Sequence, residues 1–139
     1  MKSKIKARTA NEKLLLDTFS AICRSHSTWE VWNDFCYMFA AAISNSVDKS
    51  QYEQREKQYL RIIKRYGKED QQRFPIMAQT VIEAFEENPW QDFLGAMFMD
   101  LDLGSHWHGQ FFTPYNVCKM MAKMTASNLK AEIRKEGYI

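Results

Sequence analysis

The sequence predicts an all-α fold, a helical bundle of about five to six helices, and three observations lead there. Hydrophobic residues make up 45% and aromatics 14% of the 139 residues, enough for a core that needs neither disulfide nor metal. Five glycines and three prolines supply too few turns for a fold of many short strands. Apolar residues recur every three or four positions along most of the chain, which is the period of a helix buried on one side.

From about Asn11 to Ser25, residues Leu15, Phe19, Ile22 and Cys23 share one face, which predicts the first helix. Ser27-Thr28-Trp29-Glu30 has capping-box spacing and predicts the start of a second. Trp32, Cys36, Phe39, Ile43 and Val47 form its stripe, broadened by Trp29, Phe35, Tyr37 and Met38, so this helix is expected at the centre of the core. A third is predicted from a capping box at Ser50 to Glu53, with Tyr52, Tyr59, Leu60, Ile63 and Tyr66 inward and Gly67 as a left-handed stop. Phe74-Pro75 disfavours helix at Phe74, so 68–73 reads as a short turn or helix and a longer fourth helix starts at Pro75, burying Met77, Ala78, Val81, Ile82 and Phe85. Asn88-Pro89 separates it from a fifth, with Trp90, Leu94, Met97, Phe98 and Leu101 inward as far as Gly104. After an aperiodic loop, Thr113-Pro114 signals another helix start, with Val117, Met121 and Met124 as its buried stripe and an extension towards Gly137.

Net charge is only +2, which gives the whole molecule little electrostatic pull on nucleic acid. The charges are unevenly placed. Lys49 to Arg73 is rich in basic residues, whereas every charged residue from Glu83 to Asp102 is acidic. Within the basic run Arg55, Arg61, Lys64 and Arg65 are candidate phosphate contacts, weighed against an ordinary solvated helix face. Cys23, Cys36 and Cys118 are odd in number and lack C-x-x-C spacing, so they read as small buried hydrophobes in a reducing, cytoplasmic setting. Leu14-Leu15-Leu16 is too short for a signal core, and no run approaches the roughly 18 apolar residues of a membrane span.

The loop Gly104 to Phe112 concentrates rings: His106, Trp107, His108, Phe111 and Phe112. His106 and His108 lack a recognisable zinc spacing, and Asp100 with Asp102 reads as a solvated helix face rather than an acid/base pair. The eight methionines, Met120, Met121 and Met124 among them, are expected to fill core, weighed against an adaptable surface for a partner.

Asp92-Phe93-Leu94-Gly95, the run Gly109-Gln110-Phe111-Phe112-Thr113-Pro114 and the helix from Tyr115 to Met124 together resemble the entrance to the methyltransferase domain of adenine-N6 DNA methyltransferases, above all the modification subunit of type I restriction-modification systems. The resemblance implies S-adenosyl-L-methionine as cofactor, with Gln110, Phe111, Phe112, Thr113 and Pro114 on one wall of its pocket. It implies DNA, a specificity subunit and a restriction subunit as partners, and the N6 amino group of adenine, flipped from the duplex, as the methyl acceptor. The family's glycine-containing donor strand and Asn-Pro-Pro-aromatic tetrad do not occur before Ile139. The expectation is therefore an amino-terminal helical domain over 1–103 and, over 104–139, a loop and helix leading into a missing Rossmann-like domain. Such a chain is truncated and inactive alone. A helical protein-interaction module that binds no donor is the competing expectation.

Overall fold

The computed structural model describes residues 9–101, 103, 112–126 and 128–137. These residues are all-helical and contain seven helices, one more than the top of the expected range: α1 (Ala10–Ile22), α2 (Thr28–Val47), α3 (Tyr52–Ile63), α4 (Lys68–Glu87), α5 (Phe93–Asp100), α6 (Tyr115–Thr125) and α7 (Leu129–Glu136). Helix α1 packs along α4, α2 pairs with α3, and α5 closes against α4. No described helix is long and apolar enough to cross a membrane.

Helix α1 begins at a reciprocal capping box. The Glu12 amide donates to Thr9 Oγ1 at 3.1 Å and the Thr9 amide to Glu12 Oε2 at 2.9 Å. Leu15, Phe19 and Ile22 of the predicted stripe are buried, and Leu16, which the stripe did not include, is buried beside them. Ser27 caps α2 as expected, accepting from the Glu30 amide at 3.2 Å, but the Glu30 carboxylate reaches Arg65 instead of completing a box. The buried face of α2 is Val31, Trp32, Asp34, Phe35, Met38, Ala41 and Asn45, rotated from the predicted one, and Ile43 and Val47 face solvent. The rotation follows from α3, which lies along α2 and draws Asp34 inward towards Arg65 and Tyr66.

Four further boundaries are corrected. Ser50 does not cap α3; its amide and hydroxyl both turn back to Asp48 Oδ1. Gly67 is not a left-handed stop but sits extended, at φ −65° and ψ 161°, as the cap that opens α4. With Glu69 and Asp70 favouring the positive end of the dipole, α4 then runs without a break through Pro75. The buried stripe Phe74, Met77, Val81 and Ala84, with Phe74 edge-on to Tyr66 at 4.8 Å, outweighs the proline's local preference. This stripe also turns Ile82 outward. Helix α5 starts at Phe93 rather than beside Pro89, because Asp92 caps it by accepting from the Gly95 amide at 2.9 Å; Trp90 is left 75% exposed.

The last two helices depart furthest from expectation. Neither α6 nor α7 has a buried residue, and Met120, Met121 and Met124 project into solvent instead of filling core. The pattern is amphipathic as predicted, but no described element covers it. A left-handed Gly137, at φ 75°, ends α7.

Cys23 and Cys36 are half-buried, whereas Cys118 is exposed on α6, contrary to the expectation of three buried thiols. Burial, reinforced by Asp70, pushes the Cys23 thiol up to about 12, and burial pushes Cys36 up to about 11. Raised folded values mean that the stability these thiols contribute is present below the unfolded thiol range and lost as pH climbs through 11 and 12. At neutral pH a disulfide reagent is expected to label Cys118 rapidly and the other two at least about a hundredfold more slowly, as thiolate fraction and access dictate. Counting thiols released against time checks this; equal rates would refute it.

Candidate functional site

The residues singled out for the donor pocket fall in part outside the described chain. Gln110 and Phe111 lie there, as do His106, Trp107 and His108, so the structure places none of them. Phe112, Thr113 and Pro114 are described and lie together on one wall of a cleft of about 470 Å³. Facing them are Gln91, Asp92 and Gly95 at the start of α5, with Glu12 from the first turn of α1. Asp92 and Gly95 belong to the stretch that carries the family resemblance, which assigns them no site role, and Glu12 lies outside that stretch and is not predicted. The signal for Glu12 was the Thr-x-x-Glu spacing from Thr9.

The Phe112 ring stacks on Phe98 of α5, centroids 4.9 Å apart and planes 25° off parallel. Phe98 in turn lies 6.2 Å from both Trp29 and Trp32, so an aromatic chain runs from the cleft wall into α2. This anchors the wall on the core side while Phe112 remains about half exposed, at 48%. Thr113 does not cap α6 with its side chain; the cap position is Pro114, at φ −53° and ψ 137°, and the Thr113 carbonyl instead accepts from the Cys118 thiol at 3.6 Å. Pro114 lacks an amide proton and its fixed φ suits the entry, so the chain still turns into helix at Tyr115.

The cleft has two electrical sides. The amino-terminal end of α6, where Tyr115 and Asn116 line the cavity, carries the positive pole of the helix dipole. The opposite wall holds the Glu12 and Asp92 carboxylates, and among the described residues no lysine or arginine lines the cavity. Space near α5 is reserved by glycine: a Cβ at Gly95 would stand 2.1 Å from Asp92 Oδ2. Gly95→Ala therefore displaces the Asp92 cap, losing about 1 kcal/mol, and regains about the same by removing a helical glycine. We expect Gly95→Ala to change stability by less than about 0.5 kcal/mol, while Asp92→Ala loses the cap uncompensated and costs about 1 kcal/mol. Urea unfolding of both variants checks the contrast, and equal losses would refute it.

The four candidate phosphate contacts are not equivalent. Arg55 donates to Asp48 Oδ2 at 2.6 Å and to the Asp48 carbonyl at 3.0 Å. Arg65 Nη2 lies 2.8 Å from both Asp34 carboxylate oxygens, and Arg61 donates to Gln58 at 3.0 Å. Lys64 is exposed and has no ion pair among the described residues. Two of the four charges are thus already opposed by carboxylates. Among the described residues no group of three or more histidine, cysteine, aspartate or glutamate side chains is placed to hold a metal ion.

Compared with known proteins, the chain matches no family model, no curated protein and no solved structure.

Proposed function

We propose that this chain is the amino-terminal part of an S-adenosyl-L-methionine-dependent adenine-N6 DNA methyltransferase, resembling a type I modification subunit, and that it supplies one wall of the donor pocket without being active alone. The observation that carries the reading is the meeting of Phe112, Thr113 and Pro114 with Glu12 and Asp92 across one cleft. The donor's methionine end bears a carboxylate and an ammonium beside a sulfonium. A helix start on one side and carboxylates on the other suit that charge pattern, and the Phe112 edge offers an apolar surface to the rest of the molecule. Lys64 and Arg61 are the basic residues best freed for phosphate contact, adding a modest, salt-sensitive attraction to DNA. The adenine-holding tetrad, the specificity subunit and the restriction subunit belong to the parent assembly in this reading.

Calorimetric titration of S-adenosyl-L-methionine into this chain, and into the longest polypeptide its gene encodes, tests the proposal. The longer polypeptide is expected to bind, with Phe112→Ala and Thr113→Ala each weakening binding about tenfold, as loss of one ring contact or one polar contact does. Binding indifferent to both substitutions would remove this segment from the pocket and favour the helical interaction module.

A further inference from the structure

Helix α6 presents Val117, Met120, Met121 and Met124 along one stripe, exposed by 39%, 55%, 55% and 72%. A contiguous apolar patch of this kind on a folded surface marks a place where another surface sits, and methionine adapts well to the shape of what covers it. The patch is set in positive charge. Lys119 and Lys123 line a shallow depression with Met120 and Met124, and from Tyr115 to Gly137 five basic residues stand against Glu132 and Glu136.

The complementary surface is on the same chain. From Glu83 to Asp92 there are four acidic residues and no basic one, and this stretch is flanked or interrupted by exposed Ile82, at 49%, and Trp90, at 75%. It is the same mixture of uncovered apolar side chains and charge, with the sign reversed. The two surfaces are neighbours, because Tyr115 and Asn116 of α6 line the cleft that Gln91 and Asp92 also line. Even so, no element among the described residues covers the α6 stripe. Neighbouring surfaces of opposite sign can be satisfied twice over by a two-fold axis, which brings each α6 to its partner's acidic segment and forms both contacts at once.

We propose that the methionine face of α6 docks on the acidic end of α4 of a second copy of this chain, in a two-fold pair. The proposal does not rest on the donor-pocket reading. Sedimentation equilibrium of the 139-residue chain tests it. The mean mass is expected to rise with concentration from 16.4 kDa towards twice that value by roughly 100 µM, as a modest interface allows. Met120→Glu with Met124→Glu should weaken association at least about tenfold, by burying charge in the centre of the contact. Lys123→Glu and Glu86→Lys should each weaken it, and the two together in one chain should recover it, because the reversed charges then face each other. All these positions are exposed, so unchanged circular dichroism and melting serve as the folding control. A single-chain mass at every concentration, or association blind to the charge swap, overturns the proposal; a monomer that binds vesicles rich in anionic lipid would assign the face to a lipid surface instead.

Discussion

Replacing Asp34 with alanine is expected to destabilise the fold by about 2–4 kcal/mol, more than any other polar substitution in this chain. Its carboxylate is buried, with side-chain exposure of 6%, yet it accepts from Arg65 at 2.8 Å through both oxygens and from the Tyr66 hydroxyl at 2.6 Å. Alanine leaves the Tyr66 hydroxyl, itself on a residue only 3% exposed, without its acceptor. Arg65 suffers less, because half of its side chain reaches water and its charge is rehydrated there. Asp34→Asn keeps the shape and one acceptor oxygen and should cost about half as much. Urea unfolding gives these values, and a cycle with Arg65→Ala should show non-additivity of at least about 0.5 kcal/mol. Additive losses would mean that the pair is not coupled in solution. Burial and the Asp34 carboxylate also raise the Tyr66 hydroxyl well above its usual value. A raised folded value places its contribution below the unfolded tyrosine range, so this part of the stability is lost only in strong alkali.

Pro75→Ala is expected to act in the opposite direction, raising stability by about 1–2 kcal/mol and the melting temperature by a few degrees. Pro75 stands in the eighth position of α4, where its ring crowds the Gln71 carbonyl and no amide proton is available to that acceptor. An interior proline costs a helix about 3 kcal/mol, and the greater freedom of the alanine-containing unfolded chain takes back about 0.4–1 kcal/mol. Further gain is lost with the ring's own packing on the groove it shares with Phe74 and Ala78. A destabilised Pro75→Ala would show that the proline's fit in that groove outweighs the missing hydrogen bond.

What the sequence disclosed about this fold follows the range of the interactions. The period of Leu15, Phe19 and Ile22, and the cap at Ser27, are set within one or two helical turns and were legible. Pro75 shows local preference overridden by a stripe whose partners lie on α1, dozens of residues earlier. The Asp34, Arg65 and Tyr66 cluster joins residues 31 and 32 positions apart, and nothing in the spacing of charges announces it. At the cleft, the run through Phe112 to Pro114 was picked out by its composition, but the facing wall comes from α1 and α5 and could not be read from it. The amphipathic period of α6 was correctly seen and wrongly assigned to the core, since periodicity reports that a face is apolar and not what will cover it.

The distribution of methionines divides the chain's response to oxidants. Met38, Met77 and Met97 are sealed in the core, at 3%, 0% and 0% exposure, and an oxidant reaches them only when the fold opens. The three thioethers of α6 stand in water with no such gate. Each sulfoxide formed there replaces a soft apolar group with a polar one. The α6 face can therefore be erased chemically, and restored by sulfoxide reduction, while the helices beneath it remain folded.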